Sequence, residues 1–379
     1  MKISIITLQN VTNYGSVLQT YATQTIFENM GYQVEFIDYI RSNQTKREIK
    51  KSKRQFKNIY EFVKYIYRAY IGSIIISIKK KNSFDSFLKR NIHVTDKRYY
   101  TVEDLRKDVP KADLYCTGSD QMWNSGWNGG IEHSYFLDFV KDKPKFSFAT
   151  SVGMTEFPKD EVKETIDLLK KYSFITVREE SAESLLTSLG ISAKTILDPT
   201  LLLDKKFWAN FASSVEMKET KYILVYQLNE NHNTVNFKEY VQALSKKMNL
   251  PVKAISYGFK IRRDFDEYVC LPSIEEFVSL FLNAEYVVTD SFHGTSFCLN
   301  LNREFTVIYP PKYSSRLSNI LKLCDVEERV YSGIEEDLHL KKIEYSRVND
   351  KLKKMRDDSL EIIKNGLSQI EANIGKEII

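Results

Sequence analysis

Short apolar segments alternate with amphipathic segments along most of the chain, and this alternation constrains the fold more than any other feature of the sequence. Near the N-terminus, an apolar segment over Lys2–Leu8 precedes a polar loop, a helical pattern over Ser16–Met30 and a second apolar segment over Gln33–Asp38. Strands that alternate with helices in this way form parallel sheets. The sequence therefore predicts an α/β protein.

The alternation occurs in two series, which predicts two doubly wound domains. A chain of 379 residues is long for one domain and suitable for two. The loop Asp198–Asp204 separates the series, so we expect Rossmann-like domains over residues 1–203 and 204–345 that face each other across a cleft. A charged helix within residues 346–379 is expected to pack back across both domains. Ligands of such folds bind beyond the carboxyl ends of the strands.

The remaining strands of both series can be placed from their short apolar runs. In the first series they are predicted at Leu114–Thr117, Lys145–Thr150, Phe174–Val177 and Lys194–Leu197, and in the second at Tyr222–Leu228, Val252–Tyr257, Tyr286–Thr289 and Phe305–Tyr309.

Positive charge is concentrated in one segment, residues 41–90, which we predict to be a basic helical insert in the first domain. It holds fifteen Lys or Arg and three acidic residues, which gives a net charge of +12. Because the whole chain has a net charge of +5, the residues outside this segment together carry −7. Within the segment, aromatic and aliphatic residues recur at helical spacing. The pattern is compatible with helices packed on the main domain, with an anionic membrane surface, or with nucleic acid, which we do not expect as the partner.

The cysteines and the N-terminus indicate the compartment. The four cysteines show neither CxxC spacing nor a metal-ligand pattern, which is typical of free thiols in a reducing compartment. The N-terminal apolar run lacks the pattern of a signal peptide, and no apolar stretch approaches the roughly 20 residues of a spanning helix. We expect a cytoplasmic protein, at most peripheral at the inner face of the cell membrane.

A polar cluster follows the first predicted strand. Asn13, Tyr14 and Gly15 precede a helix whose N-terminus would favour an anion, and Gly15 permits a tight turn. The cluster does not have the GxGxxG spacing of a dinucleotide site. We expect these three residues to contact the acceptor or to form the loop beside it. An ordinary turn and helix cap is the alternative interpretation.

A second cluster follows the strand Leu114–Thr117 and combines an acid, two amides and an indole. We expect its residues to contact a sugar acceptor, because carboxylate and amide groups bind hydroxyls and an indole covers an apolar sugar face. Alternatively, the indole belongs to the core and the acid forms a local turn. The residues concerned are Ser119, Asp120, Gln121, Trp123 and Asn124.

Arg178 lies directly after the strand Phe174–Val177. A guanidinium at this place can hold a carboxylate or a phosphate with two parallel hydrogen bonds. A salt bridge to Glu179 or Glu183 is the alternative interpretation.

The last cluster, Asp290 to Gly294, follows the strand Tyr286–Thr289 and contains His293. Imidazole titrates near neutral pH, so His293 can donate or accept a proton there, and Gly294 allows a close approach of the backbone. A helix-capping histidine is the alternative.

These clusters are also where the sequence resembles the polysaccharide pyruvyl transferase family. The matching stretches, in the family's order, are NYGSVLQTYATQ, GSDQMWN, FATSVG, VREESAESLLTSLG, Asp198-Pro199 and DSFHGTSFCLN. The resemblance implies a GT-B-like fold and transfer of pyruvate from phosphoenolpyruvate to a hexose or N-acetylhexosamine of a surface polysaccharide precursor, which we expect to be lipid-linked. The products would be a cyclic pyruvate ketal and phosphate, with phosphoenolpyruvate as co-substrate and neither a cofactor nor a metal.

The resemblance also implies roles for individual residues. Arg178 corresponds to a phosphoenolpyruvate ligand, and His293-Gly294 to the histidine-glycine turn of the family. Many members carry an arginine where this chain has Ser291, and Arg316 is the nearest substitute. We expect His293 to act as general acid or base, with Asp120 or Asp290 in the other role.

Two other functions remain open at this stage. One is a sugar-nucleotide glycosyltransferase with the same architecture, since a fold does not fix the chemistry. The other is a non-catalytic module that uses residues 41–90 to associate with a membrane or with nucleic acid. Clustering of Arg178 and His293 in a cleft would favour an enzyme.

Overall fold

The protein contains two parallel sheets, and the predicted fold class is confirmed. The computed structural model describes residues 1–41, 72–216, 220–229, 237–258, 264–310, 315–331, 333 and 337–377. The first sheet has seven strands, which lie in the order 3-2-1-4-5-6-7 when strands are numbered along the chain. The second sheet has five strands in the order 10-9-8-11-12. In both sheets all paired strands are parallel. This is the doubly wound arrangement.

The first sheet and its helices are formed by the N-terminal half of the chain. Its strands are β1 (Lys2–Ile6), β2 (Gln33–Tyr39), β3 (Val94–Tyr99), β4 (Leu114–Thr117), β5 (Lys145–Thr150), β6 (Phe174–Val177) and β7 (Lys194–Thr195). Its helices are α1 (Tyr14–Asn29), α2 (residues 72–80), α3 (Ser86–Asn91), α4 (Val102–Lys107), α5 (Ser125–Asn128), α6 (Val162–Leu169) and α7 (Glu180–Ser188), with a π-helical turn at Lys81–Asp85 and a 3₁₀ turn at His133–Phe136.

The second sheet follows two connecting helices, α8 (Pro199–Leu202) and α9 (Lys205–Ala212). Its strands are β8 (Ile223–Tyr226), β9 (Val252–Ser256), β10 (Glu267–Cys270), β11 (Tyr286–Thr289) and β12 (Glu304–Val307). The remaining helices are α10 (Phe237–Met248), α11 (Ile274–Asn283), α12 (Phe292–Leu301), α13 (Ser315–Leu323) and α14 (Tyr345–Glu377), with 3₁₀ turns at Glu327–Arg329 and Leu338–Leu340.

The central strands form because their residues are apolar on both faces. Every residue of β4 and of β5 is buried, as expected for parallel strands covered by helices on both sides. The sequence did not reveal β3 and β10, which lie at the sheet edges. In β3 (VTDKRY) only two of six residues are buried, so no apolar run marks it.

Two boundaries differ from the prediction where the site is built. Helix α12 begins at Phe292, whereas the sequence pattern predicts a helix over Thr295–Leu301. The earlier start arises because the Ser291 hydroxyl accepts the backbone N–H of Gly294 and caps the helix. Helix α1 likewise begins early, at Tyr14, with Asn13 as its cap. His293 and Gly15 therefore lie in the first turns of two helices.

The two sheets share a continuous apolar core through α1, α9 and α11. Tyr14 at the start of α1 stacks on Phe277 of α11 with ring centroids 4.2 Å apart. Its hydroxyl donates to the carbonyl of Pro272 at 2.7 Å. These contacts bring the start of α1 against the second sheet's helices, where the site is formed.

The long helix α14 contacts both halves of the molecule. Its Arg356 donates to the carbonyl of Leu201 and to the side chain of Asn300, while its Ser359 hydroxyl accepts the backbone N–H of Leu197. Further along, Gly366 packs so tightly on Phe174 of β6 that an added Cβ would lie 2.9 Å from the ring. The helix thus runs from the second sheet back to the first.

Most of the predicted basic insert, residues 42–71, lies outside the described residues. The described remainder, from α2 to α3, packs on both domains. Buried Phe84 and Phe87 contact Tyr14 and Tyr21 of α1. The Ser83 hydroxyl donates to the carbonyl of Leu271 in the second domain at 2.7 Å. Ile74 and Ile78 remain exposed on α2. Within the described parts of the chain, no helix combines the length and apolarity that crossing a membrane requires.

Candidate active site

The site forms where the switch points of the two sheets meet. In the first sheet the strand order reverses between β1 and β4, and in the second between β8 and β11. The segment after β1 contains Gly15, and the segment after β11 contains His293. A Cβ on Gly15 would lie 2.0 Å from the His293 Nδ1 atom, so the imidazole rests directly on the glycine.

Arg178 lies between two carboxylates, and its side chain is almost fully buried. Its Nη1 donates to Asp198 Oδ2 at 2.8 Å and its Nε to Glu179 Oε1 at 3.4 Å. Burial opposes the charge, but Asp198 and Glu179 outweigh it and raise the pKa of Arg178 above its ordinary value. The buried Nη2 has no hydrogen-bond partner among the described residues. Arg178 is therefore a permanent cation, and its Nη2 group can still donate to a ligand.

Asp198 is anchored on several sides. Its Oδ1 accepts the backbone N–H and the hydroxyl of Thr200, and its Oδ2 accepts Arg178 and, at 3.3 Å, the hydroxyl of Ser119. Burial works against ionisation, but Arg178 and His293 lower the pKa of Asp198 below its ordinary value. Asp198 is an ionised anchor for the arginine.

Asp120 brings a second carboxylate to the cluster from the loop after β4. Its Oδ2 accepts the hydroxyl of Ser16 at 2.6 Å and its Oδ1 the backbone N–H of Gln121 at 2.9 Å. Burial opposes ionisation, yet Arg178 and His293 lower the pKa of Asp120. The residue has a φ of 82°, a left-handed conformation that costs energy for a non-glycine residue and is found at functional sites.

His293 is 7% exposed, and its Nε2 lies 3.9 Å from Asp198 Oδ2. That nitrogen is buried and has no hydrogen-bond partner within the described part of the chain. Burial is the main cause that lowers the pKa of His293 to about 4, against the opposing effect of Asp198. The imidazole is therefore neutral at pH 7 in this state, with Nε2 facing the cluster of charges.

Arg316 of α13 supplies a second cation, as the sequence suggested. Its guanidinium carbon lies 5.9 Å from the ring centroid of Phe292, and that of Arg178 lies 4.7 Å from the same centroid. Burial and the neighbouring Arg178 lower the pKa of Arg316, although a guanidinium stays protonated. Its Nε is buried without a hydrogen-bond partner among the described residues. The guanidinium groups of Arg178 and Arg316 therefore both lie close to the same phenyl ring.

A cavity of about 280 Å³ opens beside the two arginines, while His293 and Asp120 are not among the described residues that line it. Its lining includes Arg178, Asp198, Phe292 and Arg316, together with residues of α14 such as Met355. The cavity is therefore enclosed by both domains and by the C-terminal helix.

The cluster at the start of α1 does not present free amides. The side chain of Asn13 accepts the backbone N–H groups of Gly15 and Ser16, so these donors are already used. The expected acceptor contact is not available to Tyr14, which is buried in the apolar core. Gly15 instead makes room for His293.

The loop after β4 also differs from the expectation. Trp123 is 1% exposed, donates its indole N–H to the carbonyl of Tyr135 and stacks on Phe136, so it cannot cover a sugar. The exposed indole is that of Trp127 in α5, at 60%. Gln121 and Asn124 are hydrogen-bonded to each other at 2.7 Å near this surface.

The Asp290 carboxylate holds the chain after β8. It accepts the backbone N–H groups of Leu228 and Asn229 at 2.7 and 2.9 Å. A Cβ on the neighbouring Gly294 would lie 2.4 Å from Thr289 Oγ1, so the turn is closely packed. Asp290 therefore holds the backbone after β8, whereas Asp120 lies in the cluster with Arg178 and His293.

Some residues of the site were not selected from the sequence. Glu179 was considered only as a salt-bridge partner and Asp198 only as part of a motif, although each lies within three residues of the end of a strand. Phe292 gave no signal, because a phenylalanine beside a histidine is typical of a core helix. The residues of α14 that line the cavity come from far along the chain. In the described residues, no group of three or more His, Cys, Asp or Glu is arranged to hold a metal ion.

The comparisons with known proteins agree with this architecture. One similar structure is the UDP-GlcNAc 2-epimerase of Methanocaldococcus jannaschii in complex with UDP-GlcNAc and UDP. The match covers 97% of this chain and 100% of the epimerase, with a TM-score of 0.52 and 13% sequence identity. Sucrose-phosphate synthase of Thermosynechococcus elongatus matches 98% of this chain and 100% of its own, with a TM-score of 0.49 and 10% identity. The protein has a GT-B-like fold.

The sequence defines the family within that fold class. Residues 13–311 match the family model described as polysaccharide pyruvyl transferase, and this covers most of the chain. The protein belongs to the polysaccharide pyruvyl transferase family. No curated protein matches the sequence significantly.

Proposed function

We propose that the protein transfers pyruvate from phosphoenolpyruvate to two hydroxyls of a glycan, forming a cyclic ketal and releasing phosphate. Two observations carry this proposal: Arg178 and Arg316 line one cavity, and three buried nitrogens of the cluster have no hydrogen-bond partner among the described residues. These nitrogens are Arg178 Nη2, Arg316 Nε and His293 Nε2. Two cations and a neutral imidazole suit a small dianionic donor that must also exchange a proton. The clustering of Arg178 and His293 favours an enzyme over a binding module.

The donor site matches a small molecule with two anionic groups. Phosphoenolpyruvate carries a phosphate and a carboxylate, and Arg178 and Arg316 can each hold one of them. Both guanidinium carbons lie close to the phenyl ring of Phe292, at 4.7 Å and 5.9 Å from its centroid, so the two cations are near enough to bind one small molecule. The cavity volume of about 280 Å³ lies at the small end of the range of about 300–1,000 Å³ for ligand pockets. A small donor therefore fits better than a complete sugar nucleotide.

The reaction needs a proton donor for the methylene carbon and an acceptor for the hydroxyl protons. Binding of an anionic donor beside His293 raises the pKa of the imidazole, because opposite charge favours the protonated form. The imidazolium can then protonate the methylene carbon, while Asp120, held ionised, receives the proton of the attacking hydroxyl.

The balance closes without a redox cofactor. One glycan oxygen bonds to the carbon that carries the phosphate, the phosphate leaves with the bridging oxygen, and the second glycan oxygen closes the ketal. The two hydroxyls lose two protons in total. One is balanced by the proton added to the methylene carbon, which becomes a methyl group, and the other leaves with the phosphate. Arg178 and Arg316 stabilise the charge that develops on the departing phosphate.

Incubation of the purified protein with phosphoenolpyruvate and lipid-linked oligosaccharides tests the proposal. We expect release of inorganic phosphate together with the mass increase of a carboxyethylidene ketal on the glycan. A parallel incubation with UDP-N-acetylglucosamine tests the glycosyltransferase alternative. Release of UDP with sugar transfer, and no phosphate from phosphoenolpyruvate, would establish that alternative instead.

For the cellular site of action, we propose that residues 41–90 bring the enzyme to the inner membrane surface, where a lipid-linked acceptor would lie. Basic residues near anionic lipid contribute about 1 kcal/mol each. Among the described residues, exposed Ile74 and Ile78 on α2 support such a contact, with Lys80 and Lys81 close by. Ile76 is not available, because it packs against the core.

Co-sedimentation with vesicles tests this location. Wild-type protein should pellet with vesicles that contain anionic phosphatidylglycerol, stay in solution with neutral phosphatidylcholine, and be released by salt. Charge reversal at Lys50, Lys51, Lys53 and Arg54 should abolish the binding. Unchanged binding of that variant would exclude this basic run as the membrane contact.

A further inference from the structure

One tryptophan of this protein is exposed, and it lies on the loop that supplies Asp120. The chain has three tryptophans. Trp123 and Trp208 are 1% and 0% exposed, whereas Trp127 is 60% exposed. Of the three indoles, only that of Trp127 therefore presents an open aromatic face to a ligand.

The backbone holds Trp127 in this outward position. Its backbone N–H donates to the side-chain Oδ1 of Asn124 at 2.9 Å. The next residue, Asn128, donates to the carbonyl of Met122 at 2.9 Å and accepts from Arg41. Two glycines with positive φ, Gly129 and Gly130, then fold back so that both N–H groups reach the carbonyl of Ser125. The indole is therefore presented by a rigid turn.

Hydrogen bonds connect this turn to the reacting cluster. The Asn124 amide donates to Gln121 Oε1 at 2.7 Å, and the Gln121 backbone N–H donates to Asp120 Oδ1 at 2.9 Å. Gly153 approaches both amides so closely that a Cβ there would lie 2.4 Å from Gln121 Oε1. Trp127 therefore lies on the same hydrogen-bonded loop as Asp120, the carboxylate of the cluster.

We propose that Trp127 is the platform on which a hexose ring of the glycan acceptor stacks, which rests on the proposed function and names its acceptor subsite. The apolar C–H face of a pyranose matches the face of an indole, while the neighbouring amide of Gln121 can bind sugar hydroxyls. A protein partner would be expected to need a wider apolar patch, and on this loop the exposed indole is bordered by amides, a serine and glycines.

Tryptophan fluorescence offers a binding test that is independent of turnover. Because the other two indoles are buried, acrylamide quenching of wild-type protein reports chiefly Trp127. Methyl β-glycosides of galactose, glucose, N-acetylglucosamine and N-acetylmannosamine serve as probes. At least one should shift the emission and protect it from acrylamide, and Trp127→Phe should lose this response. No response to any of the four would overturn the proposal.

Kinetics separate this subsite from the donor site. Trp127→Ala should raise KM for the glycan acceptor about tenfold, equal to about 1.4 kcal/mol, and leave KM for phosphoenolpyruvate within about twofold. Trp127→Phe should recover part of the loss, and Leu340→Ala, an exposed residue of the second domain, should match wild type. If the wild-type enzyme is active and Trp127→Ala has an unchanged KM for the acceptor, the stacking platform is refuted while the proposed function stands. Glycoside binding by a protein that releases no phosphate would refute the reaction but retain the subsite.

Discussion

The imidazole of His293 lies against the α-carbon of Gly15, and an added Cβ would stand 2.0 Å from its Nδ1. This contact joins the switch point of one sheet to that of the other. No side chain larger than hydrogen fits between the two elements in this arrangement. The position of the histidine relative to Asp120 and Arg178 therefore depends on a glycine in the other domain.

Gly15→Ala should displace His293 and abolish turnover while the protein still folds. Overpacking of this kind costs about 1–3 kcal/mol of unfolding free energy. Denaturant unfolding and phosphate release measure the two effects. Gly72→Ala is the matched control, since a Cβ on this helical glycine meets nothing within 4 Å. An active Gly15→Ala enzyme would show that the domains separate at this contact during catalysis.

Arg316→Ala should raise KM for phosphoenolpyruvate about tenfold to a hundredfold, because one of the two guanidinium groups that hold the donor is lost. Its Nε has no hydrogen-bond partner among the described residues, so we expect little change in thermal stability. Lys322→Ala removes an exposed cation from the same helix and serves as the control. If donor affinity is unchanged in Arg316→Ala, the arginine absent at Ser291 is not replaced from α13.

Arg178→Lys should weaken donor binding far more than acceptor binding. Lysine keeps the charge but loses the planar group that bonds Asp198 at 2.8 Å and leaves Nη2 for a ligand. Isothermal titration with phosphoenolpyruvate and with the acceptor compares the two affinities. An equal loss for both substrates, accompanied by a fall in unfolding free energy, would mean that the arginine acts through the fold.

The sequence predicted those strands that are buried on both faces. Leu114–Thr117, Phe174–Val177 and Tyr286–Thr289 have the predicted bounds, because an uninterrupted apolar run between polar residues leaves one interpretation. The edge strand Val94–Tyr99 was missed, since polar residues occupy most of it. Edge strands need less burial and so leave a weaker pattern.

The candidate site was predicted less completely, because its geometry depends on contacts between distant segments. The sequence marked residues that follow strand ends, and Arg178, His293, Asp120 and Arg316 do meet in the structure. It could not show which of two indoles on one loop is buried. Trp123 packs on Phe136 and Trp127 does not, a difference set by tertiary packing. Likewise, only the fold reveals that Tyr14 belongs to the core.

Gly366→Ala should loosen the C-terminal helix from the first domain. The Phe174 ring lies 2.9 Å from the position of an added Cβ, so the helix or the ring must move. Since α14 also lines the cavity through Met355, we expect a higher KM for phosphoenolpyruvate together with a stability loss of about 1–3 kcal/mol. Gly375→Ala, in the same helix but with open space around it, is the control. Identical behaviour of the two variants would show that the ring yields without moving the helix.

The final prediction concerns the pH dependence of stability that His293 causes. Burial lowers its folded-state pKa to about 4, below the ordinary value of 6.5. Between these two pH values the unfolded chain binds a proton that the folded protein does not, so this contribution to stability is complete above pH 6.5 and is lost as the pH falls towards 4.

His293→Gln removes this titration. Between pH 7 and pH 4 the unfolding free energy of wild type should therefore fall by about 3 kcal/mol more than that of the variant. Urea unfolding at several pH values measures the difference, and all other titrating groups are shared by the two proteins. At pH 7 the variant should be folded but reduced in kcat by about 10²–10⁴-fold, the usual contribution of a general acid or base. Parallel pH profiles of stability would mean that His293 has the same pKa in the folded and the unfolded protein. Its assignment as a buried imidazole that is kept neutral until the anionic donor binds would then fail.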